Sequence, residues 1–210
     1  ALGIRLGSSH MRHMGLSFVI GTGSSGAQSQ STPGVRQLTG AASSVVDMCG
    51  IVGYVGHQDA TDVVVEGLRR LEYRGYASAG VAVVTPSGVQ SRKRAGKLAN
   101  LEKALIESPL PPTSVGIGHT RWATHGAPND VNAHPHLSED GQLAVIHNGI
   151  IENFAELREE LQAGGVTFLS ETDTEVAAHL LAVMLREEGN LTEAMQRTCR
   201  ELRGAFTLVA

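Results

Sequence analysis

From residue 49 onward the chain alternates short apolar runs with amphipathic stretches, and the two periods separate cleanly. Residues 51–56 (Ile-Val-Gly-Tyr-Val-Gly) are an apolar run of strand length. Asp59 or Thr61 then caps a helix that runs to Tyr73, with Val64, Leu68 and Leu71 on one face. Strands are predicted at 80–84 and 89–94, joined by the turn residues Thr85-Pro86-Ser87-Gly88. A helix over 98–108 is stopped by Pro109, and 115–120 is another strand. A long polar loop covers 123–137, followed by a strand at 143–147 and an amphipathic helix over 152–162 that ends at Gly164-Gly165. Helices over 174–188 and 191–202 precede a final run, 205–210, that reads as a strand cut off in mid-course, as in a piece of a longer chain. Hairpins mixed with helical pairs predict an α+β domain with helices layered on antiparallel sheet.

Residues 1–47 break this pattern. They are rich in Gly and Ser, carry Arg5, Arg12 and Arg36, and contain no acid before Asp47. No helical or strand period persists, so a disordered or weakly ordered leader is expected. The patch Leu16-Ser17-Phe18-Val19-Ile20 is a poor secretory core, and the Arg- and Ser-rich balance is only faintly like a transit peptide.

Composition narrows the function classes. A 41% hydrophobic share suffices for a core, and a net charge of -4 gives no electrostatic reason to bind nucleic acid. The one dense basic cluster, Arg92-Lys93-Arg94, falls on a predicted exposed hairpin strand. No apolar run is long enough to span a bilayer. Two cysteines, Cys49 and Cys199, cannot make a secreted-type disulfide framework, which favours a reduced, cytoplasmic setting. Cys199 follows the helical pattern of Leu191, Ala194, Met195 and Leu202 and reads as a small buried hydrophobe.

The candidates for chemistry sit at the ends of periodic segments. They are the run from His119 to Gly126, Asn132-Ala133-His134-Pro135-His136, His147-Asn148-Gly149, and Glu171-Thr172-Asp173-Thr174-Glu175. Each has a plain structural account too. Asn-Gly is a strong turn signal, and Thr172 or Asp173 is a natural helix N-cap with Glu175 in the first turn. His119, His125, His134 and His136 raise the question of a metal, but their spacings match no zinc pattern, so no metal is expected. Cys49 stands out because it opens the globular part directly after a methionine. As a new N-terminus it would combine a thiol with an α-amine of pKa near 8, a nucleophile and a base in one residue. A buried core cysteine at a strand start is the alternative.

These segments occur together and in order: Met48 to Tyr54, Leu68 to Tyr76, His119 to Gly126, Asn132 to His136, His147 to Asn153 and Ser170 to Glu175. In this wording and order the chain from Met48 to Ala210 resembles the glutaminase domain of the glutamine–fructose-6-phosphate aminotransferases (glucosamine-6-phosphate synthases), which are class II glutamine amidotransferases. The same wording argues against the glutaminase domains of amidophosphoribosyltransferase, glutamate synthase and asparagine synthetase.

The resemblance implies a four-layer αββα sandwich of the N-terminal-nucleophile hydrolase type. It implies removal of the initiator methionine and attack by Cys49 on the side-chain amide of L-glutamine, with Asn148 and Gly149 as the oxyanion hole. Arg121 would hold the glutamine carboxylate and Asp173 its ammonium. Trp122, Thr124, His125 and Gly126 would line or support the pocket, Arg74 and Tyr76 would belong to a covering loop, and His134 would lie at the boundary with a sugar-isomerase half. That half, absent here, would bind fructose 6-phosphate and receive the ammonia. No cofactor is implied, and the parent enzyme is expected to be a cytoplasmic homo-oligomer.

Two departures from the pattern stand out. The family's Arg-Gly-Tyr-Asp-Ser is here Arg74-Gly75-Tyr76-Ala77-Ser78, so an acid is missing. Forty-eight residues also precede Cys49, and while attached they make its nitrogen an amide without useful basicity. Extraneous sequence ahead of a true start at Met48, a propeptide removed by self-cleavage, and a targeting peptide are the three accounts open to it.

Overall fold

In the computed structural model the described residues are 20–23, 49–72, 76–122 and 126–210. They form two antiparallel sheets with helices on the outer face of each. Strands β2 (Gly50–Val55), β3 (Ser78–Thr85), β4 (Gly88–Ala95) and β5 (Val115–Arg121) build one sheet in the order β2-β5-β3-β4. Strands β1 (Ile20–Gly23), β6 (His136–Leu137), β7 (Ala144–Ile151) and β8 (Gly204–Val209) build the other in the order β1-β8-β7-β6.

Helices α1 (Ala60–Leu71) and α2 (Leu98–Glu107) lie on the first sheet, and α3 (Phe154–Ala163), α4 (Asp173–Glu188) and α5 (Leu191–Glu201) cover the second. The alternating side-chain directions of a strand explain how each sheet serves two cores. Val81 and Val83 of β3 pack with Val64, Leu68, Leu98 and Leu101 of the helices, while Ala82 between them turns the other way. Ala82 and Ile117 there meet Ala144, Ile146 and Val209 of the opposite sheet. Val145, Phe206 and Leu208 point outward to Val176, Leu181 and Met195. The layers are therefore helix, sheet, sheet, helix, the αββα sandwich. Gly118 makes the α1 contact close, because a Cβ there would stand 2.3 Å from Val64 Cγ1.

Local signals set the helix ends. The Asp59 side chain accepts the Thr61 N–H at 2.9 Å, the Thr172 hydroxyl accepts the Glu175 N–H at 3.3 Å, and Asn190 caps α5. Gly189 ends α4 with a left-handed φ of +66°.

Four expectations need correction. Asn148-Gly149 is not a turn: β7 runs through it to Ile151, paired with β8 throughout. The loop over 123–137 ends in a short strand, since His136 and Leu137 pair with Val145 and Ala144. The leader contributes a strand, with Ile20–Gly23 pairing antiparallel to β8 and Ile20 opposite Val209; the rest of residues 1–47 lies outside the described residues. Lys93 is not a solvated charge on an exposed strand. Its Nζ donates to the carbonyls of Val131 (3.0 Å) and Ala133 (2.8 Å), and burial lowers its pKa to about 8. Cys199 packs, partly buried, against the larger core as expected. Among the described residues no helix is long and apolar enough to cross a membrane.

Candidate active site

Strand pairing is what delivers Cys49 to its neighbours. Gly50 pairs with Thr120, and its N–H donates to the Thr120 hydroxyl at 3.0 Å, so Cys49 falls beside the end of β5 at Arg121 and Trp122. The Trp122 N–H donates to Cys49 Sγ at 3.0 Å, and Sγ lies 3.8 Å from the Trp122 carbonyl. Partial burial raises the thiol's pKa above its ordinary value, opposed by the Trp122 N–H and by the charge of Arg121. At rest the group is a thiol that needs a base.

From the other sheet β7 brings Asn148, whose Nδ2 donates to the Cys49 carbonyl at 3.0 Å. Gly149 follows with φ +118°, and a Cβ there would stand 2.1 Å from the Ala205 carbonyl oxygen. Only glycine fits that backbone and that approach. Asp173 opens α4, and its Oδ2 accepts the Ile151 N–H at 3.1 Å. These residues line one cavity of about 500 Å³ together with Arg121, Trp122, His134, His147, Ile150 and residues 205–207. Arg121 and Asp173 put opposite charges into that single cavity. A small ligand bearing both a carboxylate and an ammonium matches it, because a guanidinium fork pairs with carboxylate and an aspartate with ammonium.

Seven of the twelve expected site residues thus meet in the cavity wall, Cys49 and His134 among them. Gly126 lies behind: its carbonyl accepts Arg121 Nη2 at 3.3 Å, so it supports the guanidinium. Tyr76 is placed elsewhere, its hydroxyl accepting the Leu98 N–H at 2.6 Å and donating to Glu72 at 2.9 Å. Arg74, Thr124 and His125 lie outside the described residues.

His119 and His147 open two of the candidate runs in the sequence but receive no role of their own there, and the wall made by 205–207 carries no sequence signal. His119 Nε2 lies 2.8 Å from Asn148 Oδ1. His147 Nδ1 is 3.0 Å from the Thr174 hydroxyl, which also meets His134 Nε2 at 2.6 Å. A histidine within an apolar strand carries no local mark of such a role; only the cross-sheet meeting shows it. The histidine rings pack edge to face (centroids 4.2 Å apart for His119 and His134, 5.1 Å for His134 and His136). Among the described residues no group of three or more His, Cys, Asp or Glu is placed to hold a metal.

Comparison with known proteins shows what the chain is similar to. Residues 108–209 match the model of the glutamine amidotransferase domain. The glutamine–fructose-6-phosphate aminotransferase of Streptomyces coelicolor is 64% identical over 163 residues, which cover 78% of this chain and 26% of that protein. The protein of the same name from Thermus thermophilus is 60% identical over 162 residues, covering 77% of this chain and 26% of the relative. The chain therefore spans about a quarter of the length of these curated relatives. Among solved structures, the glutamine phosphoribosylpyrophosphate amidotransferase of B. subtilis superposes with a TM-score of 0.62 at 28% identity, over 76% of this chain and 34% of that one. A structure described as the allosteric regulatory enzyme of purine biosynthesis gives 0.64 at 29%, over 76% and 35%.

Proposed function

From the match of residues 108–209 to the glutamine amidotransferase domain, we propose that the chain is a member of that family and that its cavity hydrolyses L-glutamine to glutamate and ammonia through Cys49. The observation that carries the reading is the convergence of Cys49, Asn148 and the opposite charges of Arg121 and Asp173 on one cavity of about 500 Å³, with room for a free amino acid.

In this scheme the Cys49 S–H proton passes to the α-amine of the same residue, directly or through water, and the thiolate attacks the glutamine amide carbon. Negative charge collects on the former carbonyl oxygen, where Asn148 Nδ2 and the Gly149 N–H are the donors. The carbon–nitrogen bond breaks, the amine's proton goes to the leaving nitrogen, and ammonia departs. Water then attacks the γ-glutamyl thioester, releasing glutamate and restoring the thiol. Arg121 holds the α-carboxylate of glutamine and Asp173 its ammonium, while Trp122 flanks the nucleophile. The raised thiol pKa fits a scheme that needs an adjacent base.

The amine must be free for this to run, so we assign catalysis to a form in which residues 1–48 have been removed. In the longer relatives the name states an aminotransfer to fructose 6-phosphate. We place this chain as the ammonia-supplying part of such an enzyme, partnered by sugar-isomerase domains and working as a homo-oligomer. Both cysteines are free, which supports a reducing, cytoplasmic setting.

Intact-mass measurement paired with a glutamate-release assay tests the scheme. A chain beginning at Cys49 is expected to release glutamate, and Cys49→Ala or retention of residues 1–48 to abolish it. Release at an undiminished rate from the chain that keeps residues 1–48 would remove the α-amine from the mechanism. Absence of release from a folded chain that begins at Cys49 would remove the function.

A further inference from the structure

An oxyanion hole built on an asparagine has a weakness that the backbone N–H of Gly149 does not share. The side-chain amide is flat and nearly symmetric in shape, so a half-turn exchanges its donor for its acceptor. In the wrong orientation Oδ1 would face the developing oxyanion and repel it. Something must therefore hold the Asn148 amide one way round.

Two contacts bear on it. Nδ2 donates one hydrogen to the Cys49 carbonyl at 3.0 Å, leaving its second hydrogen for a ligand. Oδ1 meets His119 Nε2 at 2.8 Å. His119 is fully buried in β5, opposite Ile51 on one side and Gly80 on the other, and it is not part of the cavity wall. We propose that His119 is a positioning residue for the reaction. In this role His119 donates from Nε2–H to Asn148 Oδ1, which locks the amide with its free N–H toward the substrate oxygen.

With Nε2 carrying the proton, the flipped amide would set N–H against N–H at His119 and oxygen against oxygen at Cys49, so both contacts would fail together. Burial keeps the imidazole neutral, with its pKa lowered to about 4, so the donor persists without a buried positive charge. The ring is itself braced. It packs edge to face on His134 at 4.2 Å, and His134 Nε2 lies 2.6 Å from the Thr174 hydroxyl, next to Asp173 at the start of α4. The oxyanion donor and the proposed ammonium acceptor are thereby held through one continuous set of contacts.

The inference rests on the glutamine-hydrolysing reading of the cavity, and its test separates the two. Three variants are compared with the parent in the form that releases glutamate. His119→Gln keeps an N–H close to the Nε2 position. His119→Phe keeps the volume and loses the donor. His119→Asn is polar but too short, and it stands in if the phenylalanine variant does not fold by circular dichroism. Because loss of an oxyanion donor costs roughly a hundredfold or more in kcat, misaiming one is expected to lower kcat about tenfold to a hundredfold in the Phe or Asn variant. The KM for glutamine should stay within about threefold, since Arg121 and Asp173 are untouched, and the Gln variant should regain most of kcat. The Asn148 side-chain NH₂ resonances, assigned by their loss in Asn148→Asp, should shift in the Phe or Asn variant and return in the Gln variant; this measurement does not need activity. An unaltered kcat in folded His119→Phe or His119→Asn, or a Gln variant as slow as these, overturns the proposal. A parent that begins at Cys49 and releases no glutamate overturns the cavity's function instead, and the NH₂ resonances then decide the His119–Asn148 pairing alone.

Discussion

Cys49 has ordinary chemistry until its neighbours are counted. Its thiol is half-buried, pushed up in pKa by that burial, and held by one backbone N–H from Trp122. The sequence displays Cys49, Arg121, Asn148 and Asp173 plainly, because each falls at the edge of a periodic segment where packing alone does not ask for that residue type. His119 opens one of the candidate runs, but its own role is hidden for the opposite reason: it sits inside a strand at full burial, where a histidine reads as core. Ala77 stands where the Arg-Gly-Tyr-Asp-Ser wording of the family has an acid. Its N–H donates to the Arg121 carbonyl at 2.7 Å and its own carbonyl accepts the Gly96 N–H at 2.8 Å, so its Cα is fixed beside the residue assigned to the glutamine carboxylate. An acid restored at this anchored position is expected to help order the covering segment, and Ala77→Asp should lower the KM for glutamine. Steady-state kinetics on the two forms decide it; equal KM values discard the idea.

Among the elements, β7 shows how tertiary pairing overrides a local signal. Asn-Gly favours a two-residue hairpin turn in isolation, yet here the strand continues through Asn148 and Gly149 because six consecutive residues, Ile146 to Ile151, find partners on β8. The φ of +118° at Gly149 is then spent on approach to Ala205 rather than on a turn. Helix α4 illustrates the reverse case, a local signal that was right but incomplete. The Thr172 cap was readable. The Glu175 carboxylate, three residues on, instead accepts the N–H groups of Leu169 (2.8 Å) and Ser170 (2.7 Å) and the Ser170 hydroxyl (2.7 Å). Burial alone would raise its pKa, but contacts from His179, Leu169 and Ser170 prevail and lower it to about 2. Glu175→Ala strands two backbone donors at the entrance to α4 and should cost about 2–4 kcal/mol, since an unpaired buried group forfeits roughly 1–3 kcal/mol. Urea unfolding monitored by circular dichroism measures the loss, and a change under about 0.5 kcal/mol, typical of a surface substitution, would show that these bonds are replaced by water.

At the scale of the molecule, the fold buries several imidazoles in the neutral form. His119, His134 and His136 are all buried, and burial first, then neighbouring positive charge, holds the latter two well below the ordinary histidine range. The linkage has a definite sign. Below pH 6.5 the unfolded chain takes up protons that the folded one refuses until about pH 4 at His119, so stability is complete above pH 6.5 and lost as the pH falls toward 4. His119 alone accounts for about 3 kcal/mol over that interval, at 1.36 kcal/mol per pH unit. Glu175, depressed in the folded state, contributes stability that is present above pH 4.5 and fades toward pH 2. The thermal midpoint is therefore expected to fall steadily from pH 7 to pH 4, and His119→Gln to flatten that fall. A midpoint unchanged across this range contradicts the buried neutral state.

The pattern of apolar positions by itself determined most elements and the α+β class, because periodicity and capping act within a dozen residues of sequence; the roles of the candidate site residues came from the resemblance of their motifs, in their order, to a known family. What the pattern left undecided depends on contacts between residues far apart in the chain. The sheet order, the continuation of β7 along β8, the pairing of Ile20–Gly23 with the β8 edge, and the union of His119 with Asn148 all belong to that class. No local preference records such meetings, since their free energy comes from desolvation and pairing that exist only once the two sheets have closed on each other.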